Sequence, residues 1–297
     1  FASTAKALLK ITGPVAAGSI AMNAAGLIDA TFLQRRIGDI MEAAPQALLD
    51  SYQGMIPALY LEHPEALPTF LYGCYTLAMT LYLLIPALTQ AIGMSALPAV
   101  TEAWARGDTP QVRERMESVL RVTGLVCLPA GLGLTALAEP IAALLFGAGG
   151  SAEIVAGVLR TLGPASVLAA ICTPLSSMLQ AAGRAGLPVK LLTVAMALKI
   201  GVNWCLCGLP QLNIQGAGAG TLACYAFYGA GQFLCLGRVT GVRLRAGKLF
   251  GKPLGCALLC GGAAWAAGGW GIPWRWGCLW AWAGWYIWAD FCSAGHW

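Results

Sequence analysis

Long apolar runs separated by short polar stretches set the pattern of this chain. Eight runs are long enough to cross a bilayer: residues 11–33, 70–100, 119–146, 154–180, 187–209, 217–237, 253–272 and 274–290. About twenty apolar residues span the hydrocarbon core. Backbone groups in lipid must be satisfied within their own element, so such runs are helices. The pattern predicts an all-α fold, a polytopic transmembrane helix bundle of about eight spanning helices. Pro14, Pro86, Pro98, Pro129, Pro164 and Pro174 fall inside or near the ends of runs. Interrupted helices are common in transporters, although membrane helices tolerate proline in general.

The stretch 186–221 carries the most polar information and is the one around which the chain is expected to be organised. Lys199 lies near the middle of the fifth run, and Asn203 follows one turn later on the same helix face. A charge at that depth costs at least ~2.5–3.5 kcal/mol, so Lys199 is expected to face other protein or a wet cavity. Pro188 sits in the first turn, where its missing N–H does no harm, and Gly208-Leu209-Pro210 ends the helix. Gly216, Gly218 and Gly220 open the next run, where small residues let helices approach closely. Between the first two runs, residues 34–69 carry Asp39, Glu42, Asp50, Glu62 and Glu65, with a short helix expected near 43–52. In the next loop Gly107 ends one helix, Asp108 or Thr109 caps the following one, and Pro110 opens it.

Composition agrees with a membrane protein: 58% of the 297 residues are hydrophobic and 10% are charged, against about 25% charged in soluble domains. The basic residues alternate between loops. Counting from the N-terminal side, one face holds 13 of the 18 Lys and Arg. The other holds Arg35, Arg36, Arg160 and Arg275. The positive-inside rule then places the N-terminal side and the C-terminus in the cytoplasm of a multi-pass cell-membrane protein. The net charge of +5 shows no basic cluster interleaved with aromatics, so no nucleic-acid partner is expected. The chain begins at Phe1 and reads as a piece of a longer protein. Nine of its 11 tryptophans fall at 265–297. That density means either an unusually aromatic last helix or a change of reading frame near 268–270, and the second is favoured.

No Walker loop, HExxH, nucleophile elbow or Asp-x-Asp pair occurs, so no enzyme, cofactor or metal is expected. Cys205-x-Cys207 and Cys256-x3-Cys260 lack partners at zinc spacing. The polar residues inside or beside the runs remain. Lys199 can meet a phosphate as a point charge or pair with a carboxylate of another helix. Arg35 and Arg36, at the end of the first run, suit bidentate phosphate contact or anchor the helix at the lipid head groups. Asp29 can hold a proton or coupling cation, pair with an arginine, or form a structural hydrogen bond. Asn203 and Gln180 fit hydrogen bonds between helices.

Several strings resemble the polysaccharide-biosynthesis branch of the multidrug/oligosaccharidyl-lipid/polysaccharide exporter superfamily, and within it the stage V sporulation protein B-like family. They are Ile11 to Val15 with Leu27 to Ala30; Leu97-Pro98 to Glu102; Leu137 to Ile141 with Leu144 to Gly147; Leu179-Gln180 to Gly183; Lys199-x3-Asn203; and Gly216 to Thr221. Their order and spacing run through residues 11–237, and the likeness fades after about residue 251. The resemblance implies a two-lobe transporter of about fourteen helices. Residues 1–237 would be the C-terminal six-helix lobe and 238–297 two additional C-terminal helices, with the N-terminal lobe absent.

It further implies a flippase that moves a lipid-linked oligosaccharide or peptidoglycan precursor by alternating access. The partners would be the bilayer, the missing N-terminal lobe and a polyprenyl-pyrophosphate-linked sugar. Arg35, Arg36, Lys199 and Asn203 are then substrate-binding candidates and Asp29 the coupling-ion candidate. The rival within the superfamily is a cation-coupled multidrug antiporter. Rivals of other classes are a membrane glycosyltransferase or ligase, which needs catalytic carboxylates or a large loop with His or Arg, and a non-transporting assembly protein.

Overall fold

The computed structural model describes residues 30–52, 54–147, 149–209 and 212–242, with scattered residues between 247 and 262. Most of the first expected span, Asp29 included, lies outside the described residues, as do nearly all of the last two spans and the tryptophan-rich tail. Among the described residues there is no strand. Helical residues 30–43 form α1. They are followed by α2 (Pro45–Ser51), α3 (Ala58–Glu62), a 3-10 turn (Pro64–Ala66), α4 (Leu67–Ala105), α5 (Thr109–Ala136) and α6 (Ala138–Phe146). Three long helices complete the bundle: α7 (Gly150–Ala181), α8 (Gly186–Leu206) and α9 (Asn213–Thr240).

Four helices among the described residues are long and apolar enough to span: Pro64–Ala105, Thr109–Ala136, Gly150–Ala181 and Gly186–Leu206. The fifth, α9, has the length, but its glycines, tyrosines and Gln232 dilute its hydropathy. The expected third run, 119–146, is not one helix. It breaks at Leu137, which leaves the helical region and caps α5, and α6 restarts with Pro140 in its first turn, where proline is tolerated.

The hub of the bundle is α7, not the stretch 186–221. It packs against α4, α5, α6 and α9. Of its most apolar window 67% is buried, against 17% for α8. The physical cause is its sequence, which is apolar on every side and rich in Gly, Ala and Ser, so neighbours close in all round. A methyl added at Gly163 would overlap the Thr135 hydroxyl of α5, and one at Gly131 would overlap Val167. The glycines of α9 behave as expected. Gly218 faces Thr161 of α7, while Gly216 and Gly220 face Leu206 and Asn203 of α8.

Short connections are locally encoded. Gly107 adopts φ +70°, and Asp108 then caps α5 by accepting a hydrogen bond from the Gln111 amide at 3.0 Å. The acidic loop folds onto the end of the bundle. Leu48 and Tyr52 are buried in the same core as Leu67, Leu71 and Ile214, and Met55 backbone sits directly on Gly150 at the start of α7.

Candidate functional site

Two places gather polar side chains. The first is the junction of α1 with the C-terminal end of α8. Leu33 and Ile37 of α1 bury into the core beside Leu67 and Leu71, which turns Phe32 and Arg36 toward α8. Phe32 meets Trp204 edge-on, ring centroids 5.9 Å apart. The Arg36 guanidinium carbon lies 4.7 Å from the centre of the Trp204 ring, within the range of cation–π attraction. Its Nη1 lies 3.4 Å from Asp39 Oδ2, a loose and partly exposed pair worth at most about 1 kcal/mol. Its buried Nε has no hydrogen-bond partner among the described residues. The guanidinium rests over Gly208, where a side chain would collide with it. Arg36, Asn203 and Cys207 line one narrow cleft.

The expected set is therefore only partly assembled. Arg36 and Asn203 come together, and Asn203 also packs against Gly220 of α9. Arg35 is exposed, outside that cleft, because an adjacent helix position points about 100° away. Lys199 is 6% exposed and lies one turn deeper on the Asn203 face, where its charge acts on the Tyr225 phenol of α9. Asp29 lies outside the described residues, and the carboxylate that reaches Arg36 is Asp39, three residues along its own helix. Gln180, expected between helices, is exposed.

The second place was not foreseen. A groove of about 400 Å³ runs between α4, α7, α8 and α9. Tyr82, Tyr225 and Tyr228 form a row along it, with successive ring centroids 6.2 and 6.4 Å apart. At one end Gln232 Nε2 donates to Ser176 Oγ at 2.6 Å, and Ser176 Oγ lies 3.2 Å from the Tyr228 hydroxyl. Pro86 lines the groove, and Pro174 lies on the α7 segment that walls it. Pro174 leaves the Ala170 carbonyl without its usual amide donor, and the Thr173 hydroxyl donates to that carbonyl at 2.9 Å. The Thr173 oxygen is in turn 3.0 Å from the Thr89 hydroxyl of α4. The sequence signal for this place was a set of neutral polar residues within apolar runs, Ser176 and Gln232 above all. Neutral groups cost far less in a membrane helix than Lys199, so their presence in a run is a weaker signal of a site.

A family model described as "Lipid II flippase MurJ" matches residues 73–270. Among curated proteins, the Bacillus subtilis (strain 168) "Lipid II flippase MurJ" is 22% identical over 161 residues, 54% of this chain and 29% of that protein. "Stage V sporulation protein B" of the same organism is 27% identical over 143 residues, 47% of this chain and 26% of that protein. Among solved structures, "Lipid II flippase MurJ, inward closed conformation" superposes with a TM-score of 0.63 at 14% identity, over 74% of this chain and 46% of that one. The chain thus spans less than half the length of each of these relatives.

Proposed function

We propose that this chain, which belongs to the lipid II flippase MurJ family, forms one lobe of a flippase for a lipid-linked precursor with a phosphate-bearing head group. In this reading residues 1–237 are the lobe and the residues after them are accessory helices. A second lobe completes a central cavity, and alternating access carries the head group across while the polyprenyl tail stays in lipid. The work is binding and conformational change. The N-terminal side of the lobe and the arginine-rich loops face the cytoplasm, and the acidic loop faces outward.

The observation that carries the site is the meeting of Arg36 and Asn203 in one cleft, with Lys199 one turn deeper on the same α8 face. Arg36 is held by Trp204 and only loosely by Asp39, so its fork is available to an oxyanion. Lys199 adds a point charge in a dry surrounding, where electrostatic attraction is strong. Arg35, exposed beside the cleft, gives a second contact on entry, and Asp29 competes for the same cations.

The test is translocation of a lipid-linked precursor by the full-length protein in vesicles. Lys199→Ala and Arg36→Ala are expected to abolish transport at near-normal membrane abundance, and Lys199→Arg to retain part of it. Normal transport by the combined Arg35→Ala, Arg36→Ala and Lys199→Ala variant removes the site. The anchor reading of the arginines then stands.

A further inference from the structure

We propose that the groove between α4, α7, α8 and α9 is a binding site for an uncharged sugar ring. The proposal deepens the flippase reading and rests on it for the source of that sugar, the head group. Three observations lead to it. First, none of the described residues lining the groove is charged; Lys199 acts on Tyr225 from outside that lining, so a ligand in the groove touches only neutral groups, which suits a neutral one. Second, the row of Tyr82, Tyr225 and Tyr228 offers aromatic walls. The C–H face of a pyranose packs against such walls, while its hydroxyl edge needs hydrogen bonds.

Third, those hydrogen bonds are present and unspent. Gln232 gives one amide hydrogen to Ser176. A single hydrogen is shared between Ser176 and Tyr228. The two hydroxyls own two hydrogens, so one remains to donate, from whichever of the two is not used. Both residues line the groove. Gln232 Oε1, in a fully buried side chain, has no hydrogen-bond partner among the described residues and backs the same network. Gln90, exposed at the edge of the groove, adds a carboxamide with both donors and an acceptor. A volume of about 400 Å³ lies within the usual range of small-molecule sites, roughly 300–1,000 Å³. Leu192 lies fourteen residues from the end of α8, about 21 Å along its axis. The groove thus lies toward the other end of α8, separate from the Arg36 cleft, and is open at Leu83 and Gln90.

The experiment is saturation-transfer NMR on the 297-residue chain in a detergent without a sugar head group, with N-acetylglucosamine as one probe and octan-1-ol as the other. Transfer to the N-acetylglucosamine protons is expected. Tyr228→Phe removes one hydroxyl and keeps the ring, and should weaken binding about fivefold, the size of one net hydrogen bond. Leu83 lines the groove and is 55% exposed, so Leu83→Trp should block the groove more strongly without touching the core. No transfer to the sugar, or equal transfer in wild type and both variants, overturns the proposal. Transfer to octan-1-ol alone that Leu83→Trp blocks overturns it in favour of a lipid. The flippase reading is judged separately, by translocation. Sugar binding without transport by the full-length protein sinks that reading alone, and transport without sugar binding sinks the groove alone.

Discussion

Substituting alanine for glycine in a helix usually stabilises it, and in this bundle the sign is expected to reverse at Gly216 but not at Gly201. Gly216 begins α9 against the end of α8. A Cβ there would stand 2.9 Å from the Leu206 carbonyl carbon and 3.1 Å from the Cys207 nitrogen. Carbon atoms at ease are about 3.5–4.0 Å apart, so the overlap is more than half an ångström and falls on backbone, which cannot rotate away. The helices must part. Overpacking of this kind costs about 1–3 kcal/mol, offset by the ~0.5–1 kcal/mol that alanine gains over glycine in a helix. Gly216→Ala is therefore expected to destabilise by about 1 kcal/mol at the middle of both ranges, and by at most about 2.5 kcal/mol. Gly201, on the exposed face of α8, has no atom of the described residues within 4 Å of its would-be Cβ. Gly201→Ala should stabilise by about 0.5–1 kcal/mol. Reversible unfolding in mixed micelles, followed by helical circular dichroism, measures both against wild type. If Gly216→Ala proves as stable as Gly201→Ala, the close approach of α8 and α9 is wrong.

Three other expectations follow from local structure. Asp108→Ala removes the cap that accepts from the Gln111 amide and should cost about 1 kcal/mol in the same unfolding assay. Burial pushes the Tyr52 phenol up from its ordinary value of 10.0, outweighing its backbone hydrogen bond to Ile214. The folded state thus favours the neutral phenol, so its contribution to stability is full below about pH 10 and declines above it; Tyr52→Phe should flatten that alkaline loss in unfolding midpoints measured from pH 8 to 11. In a background cleared of native cysteines, Glu65→Cys should react with an impermeant thiol reagent added outside intact cells and Gly107→Cys should not; the reverse labelling overturns the proposed orientation.

Helical class, the close approach at Gly216, Gly218 and Gly220, and a cap at Asp108 or Thr109 could all be read along the chain, because each depends on residues within a turn or two of one another or on the bilayer's demand for internal hydrogen bonding; the structure chose Asp108. The burial of Lys199 was legible too, since its neighbours on α8 are apolar and a charge in such a run must turn inward. The break at Leu137 was not. Residues 119–146 form one apolar run, and Glu139-Pro140, just past the break, are tolerated inside a membrane helix as well as at the start of a new one.

Which cations meet was decided only by tertiary structure. Arg35 and Arg36 are adjacent and chemically identical, yet the burial of Leu33 and Ile37 in the core sets the rotation of α1 and turns Arg36 alone onto Trp204. The groove likewise depends on four helices. Tyr82, Ser176, Leu192 and Tyr228 lie far apart in the chain, and nothing in the local pattern of any one run says which of its faces a neighbour will leave uncovered. Periodicity fixes the angle between residues of one helix, but the angle of each helix to its neighbours comes from how small residues such as Gly131, Gly163 and Gly218 let them pack.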